Sequence, residues 1–136
     1  MRNIYGKRKG SKMGNKSATS NNMQELAGRR FDSRLERDRA ELLVLLQRGK
    51  EIRNLRFQEK VYLTKAEIGY RADFYYEERY APRKFRKIWE DTKGFETPRW
   101  RLIKRLWKHY GPGALRVTVR TRDGKIKTKE EIIPND

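Results

Sequence analysis

Two aspartates and a lysine are the residues of this 136-residue chain whose types and spacing best suit chemistry. Asp91 and Lys93 stand two apart in the strand-like segment 87–93, so their side chains point to the same face of a strand. Asp73 lies in the strand-like segment that comes before, 67–76. If the two strands are hairpin neighbours, Asp73 can lie beside Asp91.

Two neighbouring carboxylates repel each other, and a divalent cation between them relieves that repulsion. Oxygen donors of this kind suit Mg²⁺, which binds one or two carboxylates together with water and phosphate oxygens. The ammonium of Lys93 could polarise the attacking water or stabilise the charge that develops on a phosphate. The spacing therefore predicts a site that hydrolyses a phosphodiester. The alternative is that Asp91 and Lys93 form an exposed ion pair, which contributes little to stability.

The composition indicates a polyanionic partner and excludes several other classes of site. Lysine and arginine total 35 against 18 acidic residues, which gives a net charge of +17 and favours nucleic acid as the partner. The absence of cysteine excludes disulfides, a thiol nucleophile and a thiolate zinc site. The single histidine, His109, excludes a multi-histidine metal centre and is expected at the surface. No apolar run approaches the ~18 residues of a membrane span, and no signal peptide is recognisable, so we expect a cytoplasmic protein with no membrane partner.

Two helices are predicted. The first follows the caps Asp32 and Ser33 and runs to Arg48, before Gly49, with Leu35, Leu42, Leu43, Leu45 and Leu46 as its apolar side. The second begins after Thr97, with Pro98 at the first helical position, and runs to about Tyr110. Its apolar stripe holds Trp100, Ile103, Leu106, Trp107 and Tyr110, so both tryptophans are expected in the core rather than stacked on bases.

Five strands complete the prediction. They cover 54–63, 67–76, 87–93, 114–121 and 126–133, and the Asp123-Gly124 turn joins the last two. In the second strand, Tyr70, Ala72, Phe74 and Tyr76 are predicted to share one face, with Asp73 on the other. The element order is α-β-β-β-α-β-β, which indicates an α/β fold with a mixed sheet of about five strands flanked by helices.

The chain is long enough for one domain, and its first part differs in composition from the rest. Residues 1–28 are rich in Gly, Ser, Asn and Lys, without sustained periodicity, and are predicted to form a basic flexible arm. Lys7, Arg8 and Lys9 of this arm are candidates for contacts with DNA phosphates. Residues 29–136 form the predicted domain.

The motifs of this domain resemble those of a known nuclease superfamily. Tyr70-Arg71-Ala72-Asp73-Phe74, followed by Trp89-Glu90-Asp91-Thr92-Lys93-Gly94, resembles the bipartite signature of the PD-(D/E)xK nucleases, with Ala-Asp in place of Pro-Asp. Together with FDSRLERDRAELLVLLQRGKEIRNLRFQ and EDTKGFETPRWRLIKRLW, these motifs are similar to small phage-encoded endonucleases, some of whose relatives resolve Holliday junctions. The resemblance covers about residues 29–120.

This resemblance implies a restriction-endonuclease-like core that binds Mg²⁺, for which Mn²⁺ would substitute. The ligands would be Asp73, Asp91 and the Thr92 carbonyl, with Lys93 serving the water and Glu36 of the first helix facing the metal. Glu36 could instead be only a helix cap, because Ser33-x-x-Glu36 is a capping box. Glu90 would replace Asp91 as the acid of the site if the strand register shifts by one residue. Gln58 or Glu59 could add an oxygen ligand or orient water.

The implied substrate is branched DNA, above all a four-way junction in the host cytoplasm if the protein is phage-encoded. Two coordinated cuts at a junction imply a homodimer. The contacts to DNA would come from the arm and from basic residues of the domain: Arg29, Arg30, Arg101, Lys104, Arg105 and Lys108. Two alternatives stay open, which are a non-catalytic nucleic-acid-binding protein and a nuclease acting on flap, nicked or linear duplex DNA. Lys104 could also lie on a merely solvated helix face.

Overall fold

A mixed sheet of five strands, with a helix on either side, forms the framework of the protein. The computed structural model describes residues 23–135; Lys7, Arg8 and Lys9 of the predicted arm lie outside this described part, which leaves out residues 1–22 and 136. The strands are β1 (Ile52–Tyr62), β2 (Gly69–Ala81), β3 (Lys84–Thr92), β4 (Ala114–Arg120) and β5 (Ile126–Ile132). Their spatial order equals their order in the chain, β1-β2-β3-β4-β5.

The two helices begin at the residues that the sequence predicts. Helix α1 spans Arg34–Arg48, and the Ser33 hydroxyl caps it by accepting a hydrogen bond from the Glu36 N–H at 3.0 Å. Helix α2 spans Pro98–Tyr110, and the Thr97 hydroxyl accepts in the same way from the Trp100 N–H. The predicted order α-β-β-β-α-β-β is therefore confirmed.

The pairing of the strands follows from their connections. Short turns join β1 to β2, β2 to β3 and β4 to β5, and each of these pairs is antiparallel. Helix α2 forms the crossover between β3 and β4, which are parallel. Strand β2 continues to Ala81, beyond the predicted end at 76, so that only a tight turn separates it from β3. Among residues 23–135, no helix is long and apolar enough to span a membrane.

The apolar side predicted for α1 is wrong in part. Leu43 is fully buried, but Leu42, Leu45 and Leu46 are 42%, 51% and 36% exposed. The helix instead buries Ala40, Leu43 and Val44, because only one narrow stripe of its surface faces the sheet. Three leucines that hydropathy assigns to the core therefore lie at the surface.

The folded part also begins earlier than the boundary predicted at position 28. A short 3-10 helix spans Gln24–Leu26, and Leu26 is 1% exposed. Met23 and Leu26 belong to the same apolar cluster as Leu43 and Val44 of α1. This segment therefore contributes side chains to the core.

The pleat of β2 reverses at Asp73, which contradicts the prediction of one uninterrupted apolar face. Tyr70 and Ala72 pack in the cluster under α2, whereas Phe74 and Tyr76 pack in the cluster under α1. Residues two apart in a regular strand share a face, so the alternation is broken between Ala72 and Phe74.

Strand β1 reverses at the position opposite. Phe57 packs on the α1 side and Val61 on the α2 side, although residues four positions apart in a regular strand would share a face. Gln58 lies between them with a left-handed φ of 54°, and the pairs on either side, Phe57–Phe74 and Glu59–Ala72, put it across from Asp73. Because both strands reverse here, Gln58 and Asp73 lie at a position of the sheet where side chains can reach either the α1 side or the α2 side.

Candidate functional site

The candidate site lies where β2 and β3 separate. Their ladder ends at the pair Phe74–Glu90, while the ladder of β3 with β4 continues to Thr92. The side chain of Asp73 spans the resulting gap, because its Oδ2 accepts from the N–H of Thr92 at 2.9 Å and from the Thr92 hydroxyl at 2.8 Å. Thr92 thus reaches this carboxylate through its N–H and hydroxyl; the proposed role of its carbonyl stays a prediction.

Asp91, in β3, and Lys93, the first residue after its end, project to the same side, as their spacing predicts. Lys93 Nζ lies 2.9 Å from Asp91 Oδ2, and the aspartate is only 4% exposed. The ammonium also lies over the ring of Trp100, 4.2 Å from its centroid. This burial distinguishes the pair from the exposed ion pair considered as the alternative.

Tyr70 is a member of the site that hydropathy assigns only to the core. Its hydroxyl donates a hydrogen bond to Asp91 Oδ2. Burial, and then the negative charge of Asp91, raises the pKa of Tyr70 far above its ordinary value, so the hydroxyl stays protonated and remains a donor. The signal available in the sequence was a tyrosine, rather than a phenylalanine, three residues before Asp73 on a predicted core face.

Glu36 joins the site from α1 and also caps that helix. Its Oε1 accepts from the Asp32 N–H at 3.3 Å, one residue before the Ser33 N-cap whose N–H a standard capping box uses. Its Oε2 accepts from Gln58 Nε2 at 3.0 Å, across from Asp73. The residue is 3% exposed, and its contacts reach both the start of the helix and Gln58 of β1; its role toward a metal stays a prediction.

The two further candidates on β1, Gln58 and Glu59, have different contacts. Gln58 orients the Glu36 carboxylate as a donor, whereas Glu59 lies 3.4 Å from Arg56 at the surface. Glu90, the reserve for a slipped register, is fully buried and forms a bidentate ion pair with Arg39 of α1. Asp91, rather than Glu90, is therefore the acid that stands beside Lys93.

Burial and neighbouring carboxylates raise the pKa of two acids of this site. Burial, followed by the neighbouring Asp91 carboxylate, raises the pKa of Asp73 to about 8, although its hydrogen bonds from Thr92 act in the opposite direction. Burial, followed by the charges of Asp73 and Asp32, raises the pKa of Glu36 to about 8. These carboxyl groups are protonated more readily than usual because burial disfavours their charged form and neighbouring carboxylates repel it.

The donor set fits a hard divalent cation in its chemistry. Glu36, Asp73 and Asp91 supply carboxylate oxygens only, which is the preference of Mg²⁺. Within residues 23–135, no three acidic or histidine side chains are arranged as a ligand set. Each of these carboxylates accepts a hydrogen bond or forms an ion pair within the protein. A cation would compete with the Lys93 ammonium, the Gln58 amide and the Thr92 donors for these oxygens.

Basic side chains line a surface pocket of about 290 Å³ beside α2. Arg101, Arg105 and Lys108 of its lining are exposed on the helix. Lys104 differs, because its ammonium lies 2.5 Å from Glu96 and 3.0 Å from Glu130. Lys104 also lies 5.9 Å from the Trp100 ring, on which Lys93 stacks, so one indole lies near both the pocket lysine and Lys93 of the candidate site.

The remaining basic candidates lie before α1. Arg29 and Arg30 are exposed, and the Arg29 guanidinium stacks over the ring of Phe57 at 3.9 Å. His109, expected at the surface, is exposed near the end of α2.

Comparison of the chain with models of protein families, with curated proteins and with solved structures gave no significant match.

Proposed function

We propose that the protein is a metal-dependent endonuclease of the PD-(D/E)xK type that cuts branched DNA, above all four-way junctions. One observation carries the proposal: carboxyl groups of three elements and the Lys93 ammonium converge at one fork of the sheet, in a chain of net charge +17. Acids are unfavourable where DNA phosphates would approach, unless a cation stands between the two. The α-β-β-β-α-β-β order and mixed sheet are compatible with a restriction-endonuclease-like core.

Asp73, Asp91 and Glu36 are the side chains that would hold Mg²⁺, or Mn²⁺ in its place. When bound, such an ion supplies Lewis acidity toward a phosphoryl oxygen and lowers the pKa of a coordinated water. The protein keeps the carboxylates in position through neutral donors: Thr92 holds Asp73, Tyr70 holds Asp91, and Gln58 holds Glu36. These bonds fix the carboxylates before substrate arrives, which lowers the cost of ordering them.

Lys93 is the cationic side chain that forms an ion pair with Asp91. Its ammonium balances Asp91 in the free protein, and the ring of Trp100 supports it. In the complex it would donate to the phosphoryl oxygens on which negative charge accumulates, an interaction that is strongest in the transition state. Hydrolysis adds water across the P–O bond, and the leaving oxygen takes up a proton.

The substrate class follows from charge and shape. Arg101, Arg105 and Lys108 offer phosphate contacts on the helix that carries Trp100, and residues 23–135 contain no element that is evidently built to read base edges. Recognition by backbone contacts suits a branched structure better than a short sequence. A homodimer would provide the two cuts that resolution needs, in the host cytoplasm if the protein is phage-encoded.

A second candidate function is non-catalytic binding of nucleic acid. It is favoured by one observation, namely that Lys93, Thr92, Tyr70 and Gln58 already satisfy the carboxylates without a metal. In that case the acids and their partners would only stabilise the fork of the sheet. Binding would then be strongly dependent on salt and independent of Mg²⁺.

One experiment separates these functions. The full chain is incubated with four-way junction, flap, nicked and linear duplex DNA, each with Mg²⁺ and with EDTA. The proposal predicts cleavage that requires Mg²⁺ and is fastest on the junction. Binding without cleavage on every substrate would support the non-catalytic function, and faster cleavage of a flap, nicked or linear duplex would change the substrate.

A further inference from the structure

A buried ion pair connects α1 to β3 next to the candidate site. The guanidinium of Arg39 binds the Glu90 carboxylate with two hydrogen bonds, from Nε at 2.6 Å and from a terminal nitrogen at 3.0 Å. Glu90 is fully buried and also accepts from the hydroxyls of Tyr76 and Thr118. A buried carboxylate is tolerable only when it is paired and hydrogen-bonded in this way.

The pair lies close to all three acids. Arg39 follows Glu36 by three residues, so the two side chains stand on neighbouring turns of one helix side. Glu90 comes directly before Asp91 in β3. Across the ladder, Glu90 pairs with Phe74, the residue after Asp73.

Besides the Glu36–Gln58 hydrogen bond, the Arg39–Glu90 pair joins helix α1 to the sheet at the strand residue that precedes Asp91. The bidentate contact fixes direction as well as distance, because a guanidinium fork matches a carboxylate in one plane. Glu36 must approach Asp73 from α1, whereas Asp91 approaches from the α2 side of the sheet. A shift of α1 by a fraction of a turn would move Glu36 without moving the strand acids.

We propose that Arg39 and Glu90 are positioning residues that set the placement of Glu36 relative to Asp73 and Asp91. The inference rests on the proposed function, since it concerns the cation site of that nuclease. The pair adds no net charge beside the acids, because the arginine and the glutamate balance. Its effect on cation binding is therefore geometric.

The test measures Mn²⁺ binding to the full chain, without DNA, by the electron paramagnetic resonance signal of the free ion. The variant is Arg39→Gln/Glu90→Gln, which removes both charges together and leaves no unpaired buried ion. The matched control is Asp38→Asn/Arg120→Gln, because Asp38 of the same helix forms a 2.6 Å ion pair with Arg120 of β4. Circular dichroism establishes that each protein is folded at the temperature used.

We expect the dissociation constant of Mn²⁺ to rise about 10-fold or more in the Arg39→Gln/Glu90→Gln variant, and less than about 2-fold in the control. Equal affinities in the wild type and this variant would overturn the inference. If the double variant does not fold, Arg39→Lys takes its place: it keeps the charge but loses the fork, and the same weakening is expected.

Failure of the proposed function gives a different result from failure of this inference. A wild type that binds Mn²⁺ but cuts no DNA refutes the nuclease, and the affinity of the variant still decides the positioning role. A wild type that binds no Mn²⁺ overturns the inference, since no cation site then exists to be positioned. A wild type that binds and cuts, with unchanged affinity in the variant, refutes the positioning role alone.

Discussion

Asp73 accepts two hydrogen bonds from Thr92 through a single carboxylate oxygen, from the N–H at 2.9 Å and from the hydroxyl at 2.8 Å. The contact replaces a rung of the backbone ladder where β2 leaves β3. It holds the Asp73 carboxylate near that of Asp91 against the repulsion between them. The stability of the protein should therefore depend on the protonation of this site.

The first prediction concerns that pH dependence. The pKa of Asp73 rises from an ordinary 3.8 to about 8 in the folded protein, so the folded state binds more protons than the unfolded state between these values. Stability then falls as pH rises through this window. Asp73→Asn removes the charge and keeps an oxygen for Thr92. Its melting temperature, relative to wild type in EDTA, should increase by roughly 5 °C between pH 5 and pH 9.

An exposed aspartate provides the control for this measurement. Asp123 lies at the β4–β5 turn, and the Thr121 hydroxyl lowers its pKa. Asp123→Asn should therefore show no such gain at high pH. A constant difference between Asp73→Asn and wild type across the pH range would show that the folded protein does not resist ionisation of Asp73.

The second prediction separates the two roles of Glu36. Glu36→Gln keeps an oxygen that can accept from the Asp32 N–H but removes the charge, so cleavage should fall about 100-fold with little loss of stability. Ser33→Ala removes the hydroxyl that caps the Glu36 N–H and should cost about 1 kcal/mol of stability. Its cleavage rate, per folded molecule, should match that of wild type. If both variants cut equally well, Glu36 is only a cap.

The third prediction concerns the ammonium of Lys93. Lys93→Met keeps an unbranched side chain against Trp100 and removes the positive charge. We expect the single-turnover cleavage rate to fall about 100-fold or more while junction affinity changes by less than about 3-fold. The control is Lys87→Met, at an exposed position of β3, the strand that Lys93 follows. Equal rates in the two variants would remove Lys93 from the chemistry.

The fourth prediction concerns the basic pocket beside α2. Arg101→Ala and Arg105→Ala should each reduce the slope of log affinity against log salt by about 1, because each removes one phosphate contact. Lys104→Ala should change the slope less, since Glu96 and Glu130 hold its ammonium at 2.5 Å and 3.0 Å, whereas the Glu96 contact of the more exposed Arg101 is longer, at 3.9 Å. Affinities of the full chain for a fluorescent junction at several salt concentrations give these slopes. A larger change for Lys104 than for Arg101 would contradict the assignment.

Much of the fold could be predicted because its signals are local. The caps Ser33 and Thr97 fix where both helices begin, and period-two spacing puts Asp91 and Lys93 on one face. The reversal of the pleat could not be predicted in the same way. The reversal occurs at Gln58 and Asp73, which are not glycines or prolines. The alternation of apolar residues in the sequence of β2 continues unchanged across this position.

The rest of the site depends on contacts between residues distant in sequence. Glu36 and Gln58, Tyr70 and Asp91, and Arg39 and Glu90 meet only when α1 and the strands have assembled. The three exposed leucines of α1 show the same limitation, because composition predicts burial but the width of the helix contact decides it.

The most direct test of the central claim compares wild type with Asp91→Asn on a four-way junction in Mg²⁺, with affinity measured on the same DNA. The asparagine keeps the shape of the side chain and loses the charge that would hold a cation. We expect junction affinity within about 3-fold of wild type and a cleavage rate reduced by at least about 100-fold. Cleavage by Asp91→Asn at the wild-type rate would contradict the claim that these acids form a catalytic site.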